Sequence, residues 1–130
     1  MSREHDPVAR AALIALGVVQ LALGVWMALA PGVFFEVVAP FGARNDHLLR
    51  DMASWELALA VLAFAAAARP AWRVPVVALA LMHFALHALN HLVDVGGADP
   101  GWVGPADLAS LVVGAGGLAW LLTHVQRSAA

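Results

Sequence analysis

No cysteine occurs in this chain, which excludes disulfides, thiolate metal sites and cysteine nucleophiles. No lysine occurs either, so every permanently basic side chain is an arginine. Charge of both signs is scarce. Asp, Glu and Arg make up 12% of the 130 residues, about half the share usual in soluble domains. The formal net charge of −2 is small, and no basic cluster is present to follow a phosphate backbone, which removes nucleic acid as a partner. Internal repeats, low-complexity tracts and a second domain are also missing.

What is abundant is apolar. Hydrophobic residues reach 62% and the mean hydropathy is +0.81. Soluble domains are roughly 45–50% apolar, and a chain this short cannot bury such an excess in one core. A bilayer acting as solvent removes the difficulty. The arginine-only usage, with heavy Ala and Gly, is the pattern of a GC-rich bacterial genome and carries no mechanism.

A membrane span needs about 20 apolar residues at 1.5 Å rise each. Four such stretches are present, at about 8–30, 46–68, 74–95 and 105–125. The fold class expected is therefore all-α, an antiparallel four-helix transmembrane bundle forming one domain. Asp6 is placed to cap the first span with Pro7 as its first helical residue, and Pro31-Gly32 stops it. Asn45 or Asp46 caps the second. Pro75 sits harmlessly in the first turn of the third. Gly96-Gly97 and Pro100-Gly101 mark the loop before the fourth. The first span is too long for a signal-peptide core of roughly 7–15 residues. Ala28-Leu29-Ala30 resembles a cleavage site, but Pro31 follows it directly, so the span is expected to stay in place.

Arginine placement gives the expected orientation. Arg3, Arg10, Arg69, Arg73 and Arg127 share one side, and only Arg44 and Arg50 lie on the other. Both termini are then cytoplasmic, in a multi-pass protein of the bacterial inner (plasma) membrane. Trp72 and Trp102 fall at span ends, as interfacial aromatics do. The segment 31–45, with Phe34, Phe35 and Phe41, is expected along the outer interface.

An ionisable side chain in hydrocarbon costs about 2.5–3.5 kcal/mol on the insertion scale. The third span carries His83, His87 and His91 at i, i+4 and i+8. Four residues turn a helix about 400°, so the three imidazoles line one face. Asn90 and Asp94 fall close to that face. The second span carries His47, Arg50, Asp51 and Glu56, with Glu56 rotated about 140° from Asp51. In a tight antiparallel hairpin turning near Pro70–Trp72, His47 comes level with Asp94, Asp51 with His91, and Glu56 with His87. Asp107 and Ser110 of the fourth span fall near the depth of His91. Gln20 is the strongly polar residue in the middle of the first span.

Each feature also has a plain structural reading. His47, Arg50 and Asp94 lie near span ends, where charged groups are solvated or snorkel. The histidine stripe can hydrogen-bond across helices to Glu56 and Asp51 with no further role. Asp107 reads equally as first-turn support for the helix dipole. His83, His87 and Glu56 lie deeper, where ionisable residues are functional candidates by default.

Three chemistries fit the pattern. One is a metal or redox-linked site of His83, His87, His91, Glu56 and Asp51, with His47, Arg50, Asn90, Asp94 and Asp107 as supporting or proton-relay groups. Histidine and carboxylate without cysteine suit Zn, Fe, Mn or Cu(II). The paired Glu-x-x-His motifs of ferritin-like di-iron proteins are absent. Haem fits less well, because axial ligands come from opposite faces and these histidines share one helix. The second is a proton relay or small-solute transport. Four spans are few for a transporter, so a homo-oligomer or larger membrane complex is implied. Gly17, Gly24, Ser110, Gly114 and Gly117 allow close helix approach within or between subunits. Few polar groups continue past His83 toward the cytoplasmic half, namely Gln20, Thr123 and His124, which argues against a full channel. The third is a non-enzymatic accessory subunit.

The run Asn45-Asp46-His47-x-x-Arg50-Asp51, then Trp55-Glu56-Leu57, Arg69-Pro70 and His87-x-x-Asn90-His91-x-x-Asp94, resembles small four-span membrane proteins of high-GC bacteria. The layout is also similar to the DoxX-like group of small bacterial four-helix membrane proteins. The topological likeness covers nearly the whole chain and the motif likeness residues 45–94. It implies a four-span bundle, and some DoxX-like chains are linked to quinone oxidoreduction. The histidine stripe is this chain's own addition to that layout, and no residue's role carries over.

Overall fold

A computed structural model describes residues 6–129 and is all helical apart from short connections. The elements are α1 (Pro7–Leu29), α2 (Pro31–Val37), α3 (Asp46–Ala68), α4 (Arg73–Val93) and α5 (Val103–Ala129), with a 3₁₀ turn at Pro70–Trp72 leading into α4. The four long helices are each long and apolar enough to cross a membrane. Their bounds agree with the expected spans to within about two residues at most ends, although α5 runs one turn further at its C-terminus.

The helix starts follow local chemistry. The Asp6 carboxylate accepts the Ala9 N–H at 3.0 Å, and Pro7 opens α1 with no N–H to satisfy. At α3 the cap is Asn45, whose side chain accepts the Leu48 N–H at 3.1 Å. Asp46 instead pairs with Arg44. Ala30 precedes a proline and leaves the helical region, with φ −137° and ψ 58°, which ends α1. Pro31 does more than stop a helix. It begins α2, a short helix the sequence pattern did not reveal, which buries Phe34 against Met27 and Ala53. The chain after α2 then clasps the α4–α5 loop. Phe41 bridges to Ala98, and the Asp99 N–H donates to the Pro40 carbonyl at 3.2 Å.

The long helices pair unequally. α1 packs along α3 and α4 along α5, while the α3–α4 and α1–α5 seams are thin. Small residues explain the close seams. A Cβ on Gly24 would lie 2.8 Å from Leu57 Cγ, and one on Gly114 would lie 2.7 Å from the Phe84 ring. The α3–α4 seam has bulky Trp55 and His83 rings instead, 5.2 Å apart. The hairpin expected to be tight between spans two and three is therefore the looser one, with α3 packed mainly on α1 and α4 on α5.

The end holding Asp6 and the 3₁₀ turn is filled by apolar side chains, among them Leu13, Leu59, Val77, Leu118 and Leu121. The outside of the bundle is just as apolar. Val18, Val61, Leu86 and Val113 are all exposed. Such a surface suits hydrocarbon rather than water.

Candidate functional site

The polar centre of the bundle is Glu56. Residues Ala53, Glu56, Leu59, Ala60 and Ala63 form the buried stripe of α3 at helical spacing. That stripe puts the Glu56 carboxylate inside, where it accepts a hydrogen bond from the Gln20 side-chain amide of α1. His83 Nε2 lies 3.7 Å from Glu56 Oε1, with its side chain only 15% exposed.

From His83 the imidazoles continue along α4. The His83 and His87 ring centroids are 5.6 Å apart, and those of His87 and His91 are 4.8 Å apart. His91 Nε2 meets His87 Nε2 at 3.2 Å. Such a contact needs one nitrogen carrying hydrogen and the other bare, so at most one of these two rings is charged in this arrangement. Phe41 meets His91 edge-on with centroids 5.1 Å apart.

Glu56, His87 and His91 line a cavity of about 250 Å³ toward the loop end, together with Asp107 and Ser110 of α5. Phe34, Val38 and Phe41 roof it, and Met27 and Met52 complete its apolar sides. Ser110 donates to the Asp107 backbone carbonyl at 2.8 Å. Among the described residues no group hydrogen-bonds or ion-pairs with the Asp107 carboxylate.

The structure thus gathers His83, His87, His91, Glu56 and Asp107, and it leaves the other candidates outside. His47 and Asp51 pair with each other at 3.5 Å on an exposed face of α3, with side chains 87% and 63% exposed. Arg50, Asn90 and Asp94 are exposed as well. The level matching needs correction, because Glu56 meets His83 rather than coming level with His87, and Asp51 meets His47 rather than His91. The cause is the angle noted in the sequence: five residues turn a helix about 140° past a full turn, so burying Glu56 turns Asp51 outward. Asp107 lies beyond the first turn of α5, which begins at Val103, so dipole support is not its place.

The metal reading meets the same difficulty. Two imidazole nitrogens 3.2 Å apart have the spacing of two ligands on one ion with bonds of about 2.0–2.1 Å. Among the described residues, however, no group of three or more His, Asp or Glu is arranged to hold an ion.

A second polar cluster lies at the other end, and sequence reasoning missed it. Asp6 is buried, and His124 Nε2 of α5 approaches its Oδ2 at 3.0 Å. Ser128 Oγ lies 3.4 Å from the same oxygen. Burial pushes the Asp6 carboxyl up, but the Ala9 N–H, the His124 ring and the Arg73 charge together outweigh it and hold it below its ordinary 3.8. Asp6, Arg73 and Ser128 border a second hollow of about 290 Å³. The available signal was parity: an even number of spans brings the start of α1 and the end of α5 to one side.

Comparison with protein-family models, curated proteins and solved structures returns no match to this chain. The fold and the site define it as a small four-helix bundle with membrane-spanning helices and a histidine–glutamate chain running into a cavity at one end.

Proposed function

We propose that this chain is a multi-pass protein of the bacterial plasma membrane that binds a small solute from the outer side and exchanges a proton with it. The observation that carries the reading is the file of Glu56, His83, His87 and His91, in which His91 meets His87 at 3.2 Å, the His83 ring lies 5.6 Å from that of His87 and 3.7 Å from the Glu56 carboxylate, and Glu56, His87 and His91 border the cavity. Histidine and carboxylate chains of this kind move protons within membranes. Beyond Glu56 the path meets the Gln20 side chain and then the apolar filling of Leu13, Leu59 and Val77. The relay is thus one-sided. It loads and unloads a proton at Glu56 without conducting protons across the bilayer.

The orientation follows from charge. Arg10, Arg69, Arg73 and Arg127 belong to the closed end, and Arg44 and Arg50 to the cavity end. The positive-inside rule puts the closed end, with both termini, in the cytoplasm.

Trp55 provides the test, since its ring lies 5.2 Å from His83 and its emission reports the charge on that imidazole. Trp120 stacks on His124 at the closed end and would respond to the other compartment, so it is replaced by Phe together with Trp26, Trp72 and Trp102, which leaves Trp55 as the emitter. In vesicles of uniform orientation, a pH step on the cavity side alone is expected to change Trp55 emission. The same step on the closed side is expected to leave it unchanged. Replacing His87 and His91 together by Ala should slow the response at least tenfold. Emission that follows the closed side, or a response indifferent to both histidines, overturns the reading.

A further inference from the structure

We infer that the solute of the outer cavity is a small amphipathic organic cation, an ammonium group carried on one ring or a short branched chain. The inference rests on the proposed function for the existence of a solute, and it adds the chemical class.

Charge decides the sign. The cavity is bordered by two carboxylates, Glu56 and Asp107, and by two imidazoles, His87 and His91. Among the described residues no arginine lines it. The two imidazoles share one hydrogen between their Nε2 atoms, so together they supply at most one positive charge. Nothing permanent is available to hold a carboxylate or phosphate, and an anion would face two acids. The Asp107 carboxylate has no hydrogen-bond or ion-pair partner among the described residues; it lines the same cavity as the α4 histidines, with the His91 ring as its electrostatic neighbour. A carboxylate in that position is matched by a cation that brings its own N–H donors.

The remaining walls set shape and size. Phe34 and Phe41 present aromatic rings, which attract an ammonium group and pack on an apolar body. Met27 and Met52 supply flexible, polarizable side chains that adapt to irregular apolar groups. A volume of about 250 Å³ exceeds the roughly 150 Å³ that accommodates benzene, so one ring with a short chain fits.

The test uses three single-ring probes of similar size and different charge: phenethylamine, phenethyl alcohol and 3-phenylpropionate. Binding to the full chain in detergent is measured by titration calorimetry, with empty micelles as the blank. Phenethylammonium is expected to bind at least tenfold more tightly than the alcohol, and the carboxylate is expected not to bind. Asp107→Asn is expected to weaken the amine about tenfold while changing the alcohol less than twofold. Leu111→Trp fills the cavity from α5 and should abolish binding of both, with helicity retained in circular dichroism. Equal affinity for amine and alcohol, preference for the carboxylate, or amine binding indifferent to both substitutions overturns the inference. The Trp55 response is measured without any amine. Loss of amine selectivity with that response intact removes only the ligand class, whereas loss of the response with selective binding intact removes only the proton relay.

Discussion

Gln20 on α1 donates its side-chain amide to the Glu56 carboxylate on α3, and both side chains are buried, 1% and 6% exposed. This bond ties the two closest-packed helices together at the depth where the apolar filling of one end gives way to the cavity of the other. It also gives the carboxylate a fixed donor that remains when the histidines move or titrate.

The pair should therefore couple energetically. Replacing Gln20 by Leu leaves a buried acceptor without its donor, which costs about 1–3 kcal/mol. Glu56→Gln keeps a hydrogen-bonding partner and should cost less. In a double-mutant cycle with Gln20→Ala and Glu56→Ala, read from unfolding in detergent, the expected coupling is about 1–2 kcal/mol, the upper part of the range for bonds between membrane helices. Additive effects would mean that the contact contributes nothing.

The His87–His91 contact makes a spectroscopic prediction. Two Nε2 atoms at 3.2 Å hold one hydrogen, so one ring has a protonated Nε2 and the other a bare one. Nitrogen-15 spectra of histidine-labelled protein at neutral pH should show these as two distinct nitrogens, assigned through His87→Ala and His91→Ala. His91→Ala should shift the His87 resonances, whereas His47→Ala, on the exposed face of α3, should leave them in place. Two fully protonated rings would contradict the contact.

The sequence carried the spans because length and apolarity alone specify them, and it carried the histidine stripe because period-four spacing survives any packing. The partner of Glu56 was harder to see. Equal depth across the turn between α3 and α4 pairs Glu56 with the α4 histidines, but the close seam is between α1 and α3. Gln20 and Glu56 each lie about ten residues in from the cavity end of their helix, roughly 15 Å at helical rise, so the same reasoning across the first hairpin pairs them. What chose that seam was glycine at positions 17 and 24 of α1, which the hydropathy pattern does not weigh. Helix α2 escaped because seven residues after a proline carry too short a period to register. The Asp6–His124 contact spans nearly the whole chain and has no local signal at all.

At that contact the stability of the closed end depends on pH in a definite sense. The Asp6 carboxyl is held below its ordinary value, so its folded form binds the proton more weakly than the unfolded chain does. The stabilisation is fully present above the ordinary value and disappears as pH falls through the lower, folded one. Asp6→Asn keeps the helix cap but not the charge. The melting temperature of the wild type should exceed that of Asp6→Asn at pH 7, and the gap should close as the pH falls through the ordinary 3.8 and below it. Asp6→Ala, which also loses the cap, should cost a further ~1 kcal/mol at all pH values.

The two glycines of the α1–α3 seam should respond differently to the same substitution. Gly→Ala inside a helix gains about 0.5–1 kcal/mol from reduced backbone freedom in the unfolded chain, and overpacking costs about 1–3 kcal/mol. Which effect wins depends on what the new methyl meets. At Gly17 it meets the edge of the Phe64 ring at 2.7 Å, and that ring is 36% exposed and free to swing outward. At Gly24 it meets Leu57 Cγ at 2.8 Å and the Leu57 backbone nitrogen at 3.1 Å, and backbone cannot step aside without separating the helices. Gly17→Ala is therefore expected within about 1 kcal/mol of wild type, while Gly24→Ala should lose about 1–2 kcal/mol net. Gly24→Ala should also widen the seam that Gln20 and Glu56 bridge from one side to the other. Thermal unfolding of the two variants in detergent measures the first expectation. A reduced Gln20–Glu56 coupling energy in the Gly24→Ala background measures the second, and an undiminished coupling there would mean that the polar pair, not the glycine, sets the distance between α1 and α3.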